Sequence, residues 1–73
     1  MKHVEVEAFY AHYKHPERNY EVVELAILEA TEEVAVVYRA LYGEKLTFIR
    51  PFANWLETVE VGEGKRVPRF SRV

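Results

Sequence analysis

One stretch predicts the central strand of the fold: Val36-Val37-Tyr38-Arg39-Ala40-Leu41-Tyr42-Gly43. Its β-branched and aromatic side chains suit a pleated surface. Both alternating faces are apolar, which is typical of a strand that is covered on both sides or closed into a small barrel. Gly43 tolerates a positive φ, so we expect this strand to end in a turn.

The residues before this strand allow two interpretations. Apolar residues recur at helical spacing between positions 20 and 34, and Asn19 could cap a helix there. The β-branched residues of the same region, beginning with Val22-Val23, favour a hairpin instead. We predict strands at 20–28 and 34–42. The turn at 29–33 contains no Gly, Asn or Pro, so its own signal is weak.

Alternation of apolar and charged residues and the positions of proline predict the rest of the chain. Residues 1–8 form a lead-in or an edge strand, and residues 9–14 form a strand. Pro16 breaks the pattern, which predicts a loop at 15–19. The later elements are a strand at 46–50, a helical turn at 51–55, a strand at 56–61, a turn at 62–64 and a basic tail at 65–73, whose Phe70 packs back on the body of the domain.

Length and composition indicate a single small domain over residues 1–73, with the barrel at 9–61 and the turn and basic tail at 62–73. The chain has no cysteine, which fits a reducing cytoplasm and excludes thiol catalysis and zinc–thiolate sites. The charged N-terminus does not have the apolar core of a signal peptide, and no apolar run is long enough to span a membrane. We therefore expect a cytoplasmic protein.

The charges are unevenly distributed along the chain. All twelve acidic residues are Glu, and all lie before residue 65, whereas residues 65–73 carry only basic charges. The basic tail could contact phosphates, and small barrels with stacking aromatics do bind single-stranded nucleic acid. The whole chain is nevertheless acidic, with a net charge of −2. Nucleic-acid binding is therefore the alternative rather than the leading hypothesis.

Several separated blocks carry a family resemblance: His12-Tyr13-Lys14, Tyr38-Arg39-Ala40-Leu41-Tyr42-Gly43, Arg50-Pro51 and Val67-Pro68-Arg69-Phe70. Together they resemble a small bacterial domain-of-unknown-function family with H-Y-K, Y-R-A-L-Y-G, R-P and V-P-R-F blocks. The resemblance covers roughly residues 9–70 as one domain. It implies an all-β, SH3-like barrel of about five antiparallel strands with one short helical turn near Pro51–Trp55, and no established activity.

The sequence departs from that family pattern in two places. The family tends to have glycine in the turn near residues 30–33, where this chain has Ala-Thr-Glu-Glu. It also often has leucine after the Arg-Pro block, where this chain has Phe52. Neither departure changes the fold that the resemblance implies.

Catalytic and metal sites are not favoured by the residues present. The only serine, Ser71, lies near the end of the chain, and a triad needs a rigidly placed nucleophile. His12 and His15 have an H-x-x-H spacing, with His3 a candidate third ligand, but they would point to opposite faces of a strand. We expect no enzyme, no metal and no cofactor.

The aromatic residues are more numerous than a small core readily hides, because each buried tyrosine hydroxyl needs a partner. SH3-like barrels often present aromatic grooves to peptides. We therefore predict a non-enzymatic binding module that contacts a protein or peptide. Its candidate ligand-binding residues are Tyr13, Tyr38, Arg39, Tyr42, Arg50, Trp55 and Arg69. The same pattern predicts that Trp55 is buried as a cap on the barrel, with an exposed Trp55 in the groove as the alternative.

Overall fold

The computed structural model describes residues 4–73, which form a nearly all-β domain. Its elements are β1 (Phe9–His12), β2 (His15–Leu28), β3 (Glu33–Ala40), β4 (Thr47–Pro51), α1 (Phe52–Trp55), β5 (Thr58–Gly62), β6 (Lys65–Pro68) and β7 (Phe70–Arg72). Five strands pair in the order β4-β3-β2-β1-β7, and β5 and β6 form a separate two-stranded sheet. In the described part of the chain, no helix has the length and apolar character needed to span a membrane.

The hairpin interpretation of residues 20–42 is confirmed, and the helical alternative is wrong. Strands β2 and β3 are antiparallel, with Val22 opposite Tyr38 and Leu25 opposite Val36. A bulge between Val22 and Glu24 shifts the register, so apolar residues on both sides of the bulge face the core. Tertiary pairing therefore outweighs the helix propensity of the Glu and Ala residues in this region.

The turn of this hairpin requires a left-handed residue. Glu32 has a φ of 62°, a conformation that glycine adopts without steric cost. Its amide donates to the carbonyl of Leu28 over 2.6 Å, which closes the turn. The family resemblance places glycine in this same turn, and the geometry explains why.

The predicted loop at His15–Asn19 is wrong, because strand β2 already begins at His15. The β1–β2 connection is instead the short turn Tyr13–Lys14, with His12 opposite His15. The pairing is irregular just beyond that point, between Ala11 and His12. An irregular ladder tolerates the missing N–H of Pro16, so proline does not end the strand here.

The predicted basic tail at residues 65–73 is also wrong, because it forms β6 and β7. Strand β7 pairs with β1, with Phe70 opposite His12, so the main sheet extends beyond the predicted barrel limit at residue 61. Residues 4–8 are a lead-in and contain no strand, although Val4 and Ala8 are buried. The rest of the segment predicted as 1–8 lies outside the described residues.

The core is formed by one face of the main sheet, the short helix and the start of β7. Its buried members are Val4, Ala8, Tyr10, Val22, Val36, Tyr38, Trp55 and Phe70. The predicted helical turn at 51–55 is confirmed as α1, which begins after Pro51 and brings Trp55 into this core. Trp55 is only 3% exposed, so its predicted burial is confirmed and the exposed alternative is wrong.

A substitution in the β5–β6 turn is expected to stabilise the protein. Gly62 pairs with Lys65, which leaves Glu63 and Gly64 as a two-residue loop with φ values of 51° and 76°. Positive φ at both positions is the requirement of a type I′ turn, for which Asn-Gly is preferred. We expect Glu63→Asn to raise the free energy of unfolding by roughly 0.5–1 kcal/mol. Urea denaturation measures the change, and Glu63→Gln, which removes the same charge without favouring positive φ, is expected to give a smaller gain.

Candidate ligand-binding surface

A stacked pair of aromatic rings lies at the centre of the candidate site. Trp55 at the end of α1 and Phe70 at the start of β7 are parallel, with centroids 3.7 Å apart and planes 4° apart. The ring of Tyr38 meets Trp55 edge-on at 5.0 Å, and the ring of Tyr10 does so at 5.4 Å. All four side chains are buried, so they form a rigid apolar floor.

Arg50 of β4 is held over this floor by three interactions. Its guanidinium carbon lies 5.3 Å from the centroid of Phe70, within the range of a cation–π contact. Nη1 donates to Oδ1 of Asn54 over 2.6 Å, and Nε donates to the hydroxyl of Tyr38 over 3.4 Å. The side chain is therefore oriented by α1 and β3 before any ligand binds.

A second arginine belongs to the same polar network. Nη2 of Arg69 donates to Oε1 of Glu57 over 2.9 Å, and Nδ2 of Asn54 donates to that same oxygen over 3.2 Å. Asn54 thus connects Arg50 to the Glu57–Arg69 ion pair. Nε of Arg69 is buried and has no hydrogen-bond partner among residues 4–73. A buried donor without an acceptor costs free energy.

His12 borders the same cluster as a neutral side chain. Its ring meets Phe70 edge-on at 5.1 Å, and its Nδ1 accepts the amide N–H of Lys14 over 3.2 Å. Burial, and then the positive charges of Arg50 and Arg69, lower the pKa of His12 below its usual value. Since Nδ1 is an acceptor, the proton of the neutral ring is on Nε2, which is a donor.

The lowered pKa of His12 predicts a loss of stability in mild acid. The unfolded chain binds a proton at the ordinary histidine pKa, near 6.5, more readily than the folded chain does. The stabilising contribution is therefore complete above that pH and declines as the pH falls towards the lowered pKa of the folded state. We expect His12→Asn, whose carboxamide can retain the Lys14 contact, to flatten the decline in melting temperature between about pH 7 and pH 5. An unchanged decline would show that His12 is not its source.

A pair of tyrosines lies beside this cluster. The hydroxyls of Tyr20 and Tyr42 are 2.6 Å apart, and the guanidinium carbon of Arg18 lies 5.0 Å from the ring centroid of Tyr42. Burial, followed by this hydrogen bond, raises the pKa of Tyr20 to about 12. The hydroxyl of Tyr20 therefore stays neutral at physiological pH. The ring of Tyr20 also meets Phe70 edge-on at 5.9 Å, which connects this pair to the apolar floor.

The structure brings together four of the seven candidate binding residues, namely Tyr38, Arg50, Trp55 and Arg69. Tyr13 stacks obliquely on His12 at 4.8 Å, and Tyr42 belongs to the neighbouring tyrosine pair. Arg39 is excluded from the site, because it alternates with Tyr38 on β3 and pairs with Glu21 at 4.0 Å.

The geometry changes the role of Trp55 and Tyr38, and it adds residues to the site: His12, Asn54, Glu57 and Phe70. Trp55 and Tyr38 are buried, so they support the arginines rather than line an open groove. Sequence reasoning did not include Asn54 and Glu57 in the site, and it considered His12 only as a disfavoured metal ligand and Phe70 only as a packing residue. The separated H-Y-K, R-P and V-P-R-F blocks were the available signal, because His12, Arg50, and both Arg69 and Phe70 come from them.

The described part of the chain has no candidate metal centre. Residues 4–73 contain no group of three or more His, Cys, Asp or Glu side chains arranged to hold a metal ion. His15 lies near Glu17, with Nδ1 3.7 Å from the carboxylate, and does not join a third ligand. His3, the candidate third ligand, lies outside the described residues.

Comparison with known proteins places the chain in a family. Residues 8–72 match the family described as "Protein of unknown function (DUF1653)". A crystal structure of a protein of that family from Bordetella bronchiseptica is similar, with a TM-score of 0.78 and 38% sequence identity over 92% of this chain and 85% of that one. No curated protein matches the sequence. The match over most of the chain shows that this protein belongs to the DUF1653 family.

Proposed function

We propose that this domain is a non-enzymatic binding module that recognises an acidic segment of a protein or peptide through Arg50 and Arg69. The observation that carries the proposal is the pair of pre-oriented guanidinium groups joined through Asn54 beside the Phe70 ring. Guanidinium groups bind carboxylates in a fixed, often bidentate geometry, and a held side chain loses less entropy on binding.

The Glu57 carboxylate shows that an arginine of this surface binds a carboxylate. It pairs with Arg69 over 2.9 Å, and about half of the Glu57 side chain is exposed. Nη1 of Arg69 and Nη2 of Arg50 form no hydrogen bond within residues 4–73, so both remain available as donors. A ligand carboxylate could bind these donors beside Glu57 or replace it.

The strand order supports the SH3-like part of the proposal. A meander of β1 to β4 is followed by a helical turn, and the last strand returns to pair with β1. This connectivity suits a small, partly open barrel in which the last strand pairs with the first and β4 remains an edge. In this proposal the β5–β6 hairpin is an insertion before the closing strand, and the protein is a bacterial, cytoplasmic one.

Nucleic-acid binding is the weaker proposal because the basic residues of 65–73 are mostly engaged within the molecule. Arg69 pairs with Glu57, Arg72 pairs with Glu5, and Arg66 donates to the hydroxyl and carbonyl oxygens of Thr58. Breaking these contacts to bind phosphates would cost part of the electrostatic gain.

A titration with defined probes tests the proposal. A short Glu-rich peptide should shift the NMR signals of the Nε–H groups of Arg50 and Arg69, whereas the matching Gln-rich peptide should not. Arg50→Gln should abolish the response, and Arg39→Gln, which removes an arginine from outside the site, should retain it. Equal responses to both peptides, or a response only to single-stranded oligothymidine, would contradict acidic-peptide binding.

A further inference from the structure

The outer edge of β4 has a hydrogen-bonding pattern that can be worked out from its pairing with β3. The amide of Ala40 donates to the carbonyl of Leu46 over 2.9 Å, which identifies this pair as hydrogen-bonded. In an antiparallel ladder such pairs recur at every second residue. The observed register then places Phe48 and Arg50 in the next two such pairs, with their backbone groups facing β3.

The alternate residues of β4 direct their backbone groups away from the sheet. These are Thr47, Ile49 and Pro51, and β4 is the last strand at this edge of the five-stranded sheet. Within residues 4–73, no strand pairs with this outer edge. It therefore presents the N–H groups of Thr47 and Ile49 and the C=O groups of all three residues.

The side chains along the same edge are unusually apolar for an unpaired strand. Leu46, Phe48 and Ile49 are all exposed, and Ile49 is 62% exposed. Edge strands are normally protected by charged residues, bulges or a covering segment, because an open edge recruits other strands. Pro51 is the only residue of β4 without a backbone N–H, and it lies at the end of the strand. The centre of the edge can therefore pair with another strand.

We propose that β4 pairs with β4 of a second copy of this chain, antiparallel, about a two-fold axis at Ile49. In that register each Ile49 donates its N–H to the carbonyl of the other, and each Thr47 donates to the carbonyl of Pro51 in the second copy. Pro51 has no N–H, so it accepts from Thr47 through its carbonyl and donates nothing to the carbonyl of Thr47. Two-fold pairing uses the same edge on both chains, as an isologous dimer requires.

The side chains agree with this register. Phe48 lies opposite Arg50 of the second copy on the core-facing side, where aromatic and guanidinium groups attract each other. The two Ile49 side chains meet on the other side of the joined sheet and shield apolar surface from water. No acidic residue occurs between positions 46 and 52, so no carboxylate is desolvated by the contact. The proposal does not rest on the acidic-peptide function, although Arg50 belongs to both surfaces.

Sedimentation velocity over a range of concentrations tests the proposal with matched variants. The wild-type chain should show a concentration-dependent monomer–dimer equilibrium. Ile49→Lys should raise the dimer Kd at least about tenfold. Ile27→Lys is the control, because Ile27 and Ile49 are both 62% exposed and Ile27 lies on β2, away from this edge. The control should dimerise like the wild-type protein.

A backbone variant separates strand pairing from simple apolar contact. Thr47→Pro removes an outward N–H while leaving the bonds to β3, since proline is tolerated on the free side of an edge strand. It should retain the fold by circular dichroism and weaken the dimer. A wild-type chain that stays monomeric up to about 1 mM overturns the proposal. So does a dimer that Ile27→Lys disrupts, or one that neither Ile49→Lys nor Thr47→Pro weakens.

Discussion

Trp55→Ala is expected to unfold the protein or leave it barely stable at room temperature. The indole is 3% exposed and packs face to face against Phe70, with Tyr38 and Tyr10 against it edge-on. Removing a buried tryptophan costs about 3–5 kcal/mol, since the cavity cannot fully collapse. A single core in a domain of this size supplies only about that much stability.

The measurement is a urea unfolding curve followed by circular dichroism, and Phe9→Ala serves as the control. Phe9 is 46% exposed, so its loss should cost far less. Because Trp55 is the only tryptophan, wild-type fluorescence reports on this site alone, and iodide should quench it weakly. A stable Trp55→Ala variant together with strong iodide quenching would contradict the packing described here.

Local sequence signals predicted the elements whose partners are adjacent in the chain. Alternation and β-branching predicted the β2–β3 hairpin, and Pro51 predicted the start of α1. Strand β7 has no comparable signal, because its partner β1 lies almost the whole chain away. A three-residue strand with two polar positions cannot be distinguished from a tail unless its distant partner is known. The same limit applies to Pro16, whose effect depends on the local pairing with β1.

The candidate site was predicted only in part for a similar reason. The aromatic and arginine argument identified Arg50 and Arg69, which the structure places in one network. It did not identify Asn54 or Glu57, since a single amide or carboxylate has no recognisable pattern in sequence. Their role follows from the way α1 and the chain after it pass between the two arginines. The burial of Trp55 shows that it packs in the core, whereas its helical spacing in the sequence allowed either a buried or an exposed side chain.

Phe70→Ala is expected to be as damaging as Trp55→Ala, although Phe70 lies only three residues from the end of the sequence given. Its ring is 7% exposed and forms the other half of the stack with Trp55. It also supports the guanidinium of Arg50 and the ring of His12. We expect a loss of about 3–5 kcal/mol.

The control for this prediction is Val73→Ala, because Val73 is 69% exposed and should contribute little. The predicted packing of Phe70 on the body of the domain agrees with its burial, and the structure adds the pairing of β7 with β1. A double variant with Trp55→Ala should be less destabilised than the sum of the two single variants, because each single change already breaks the same stack. Where such variants are too unstable, Trp55→Phe and Phe70→Leu allow the same cycle, and strictly additive losses would show that the two rings do not act as a unit.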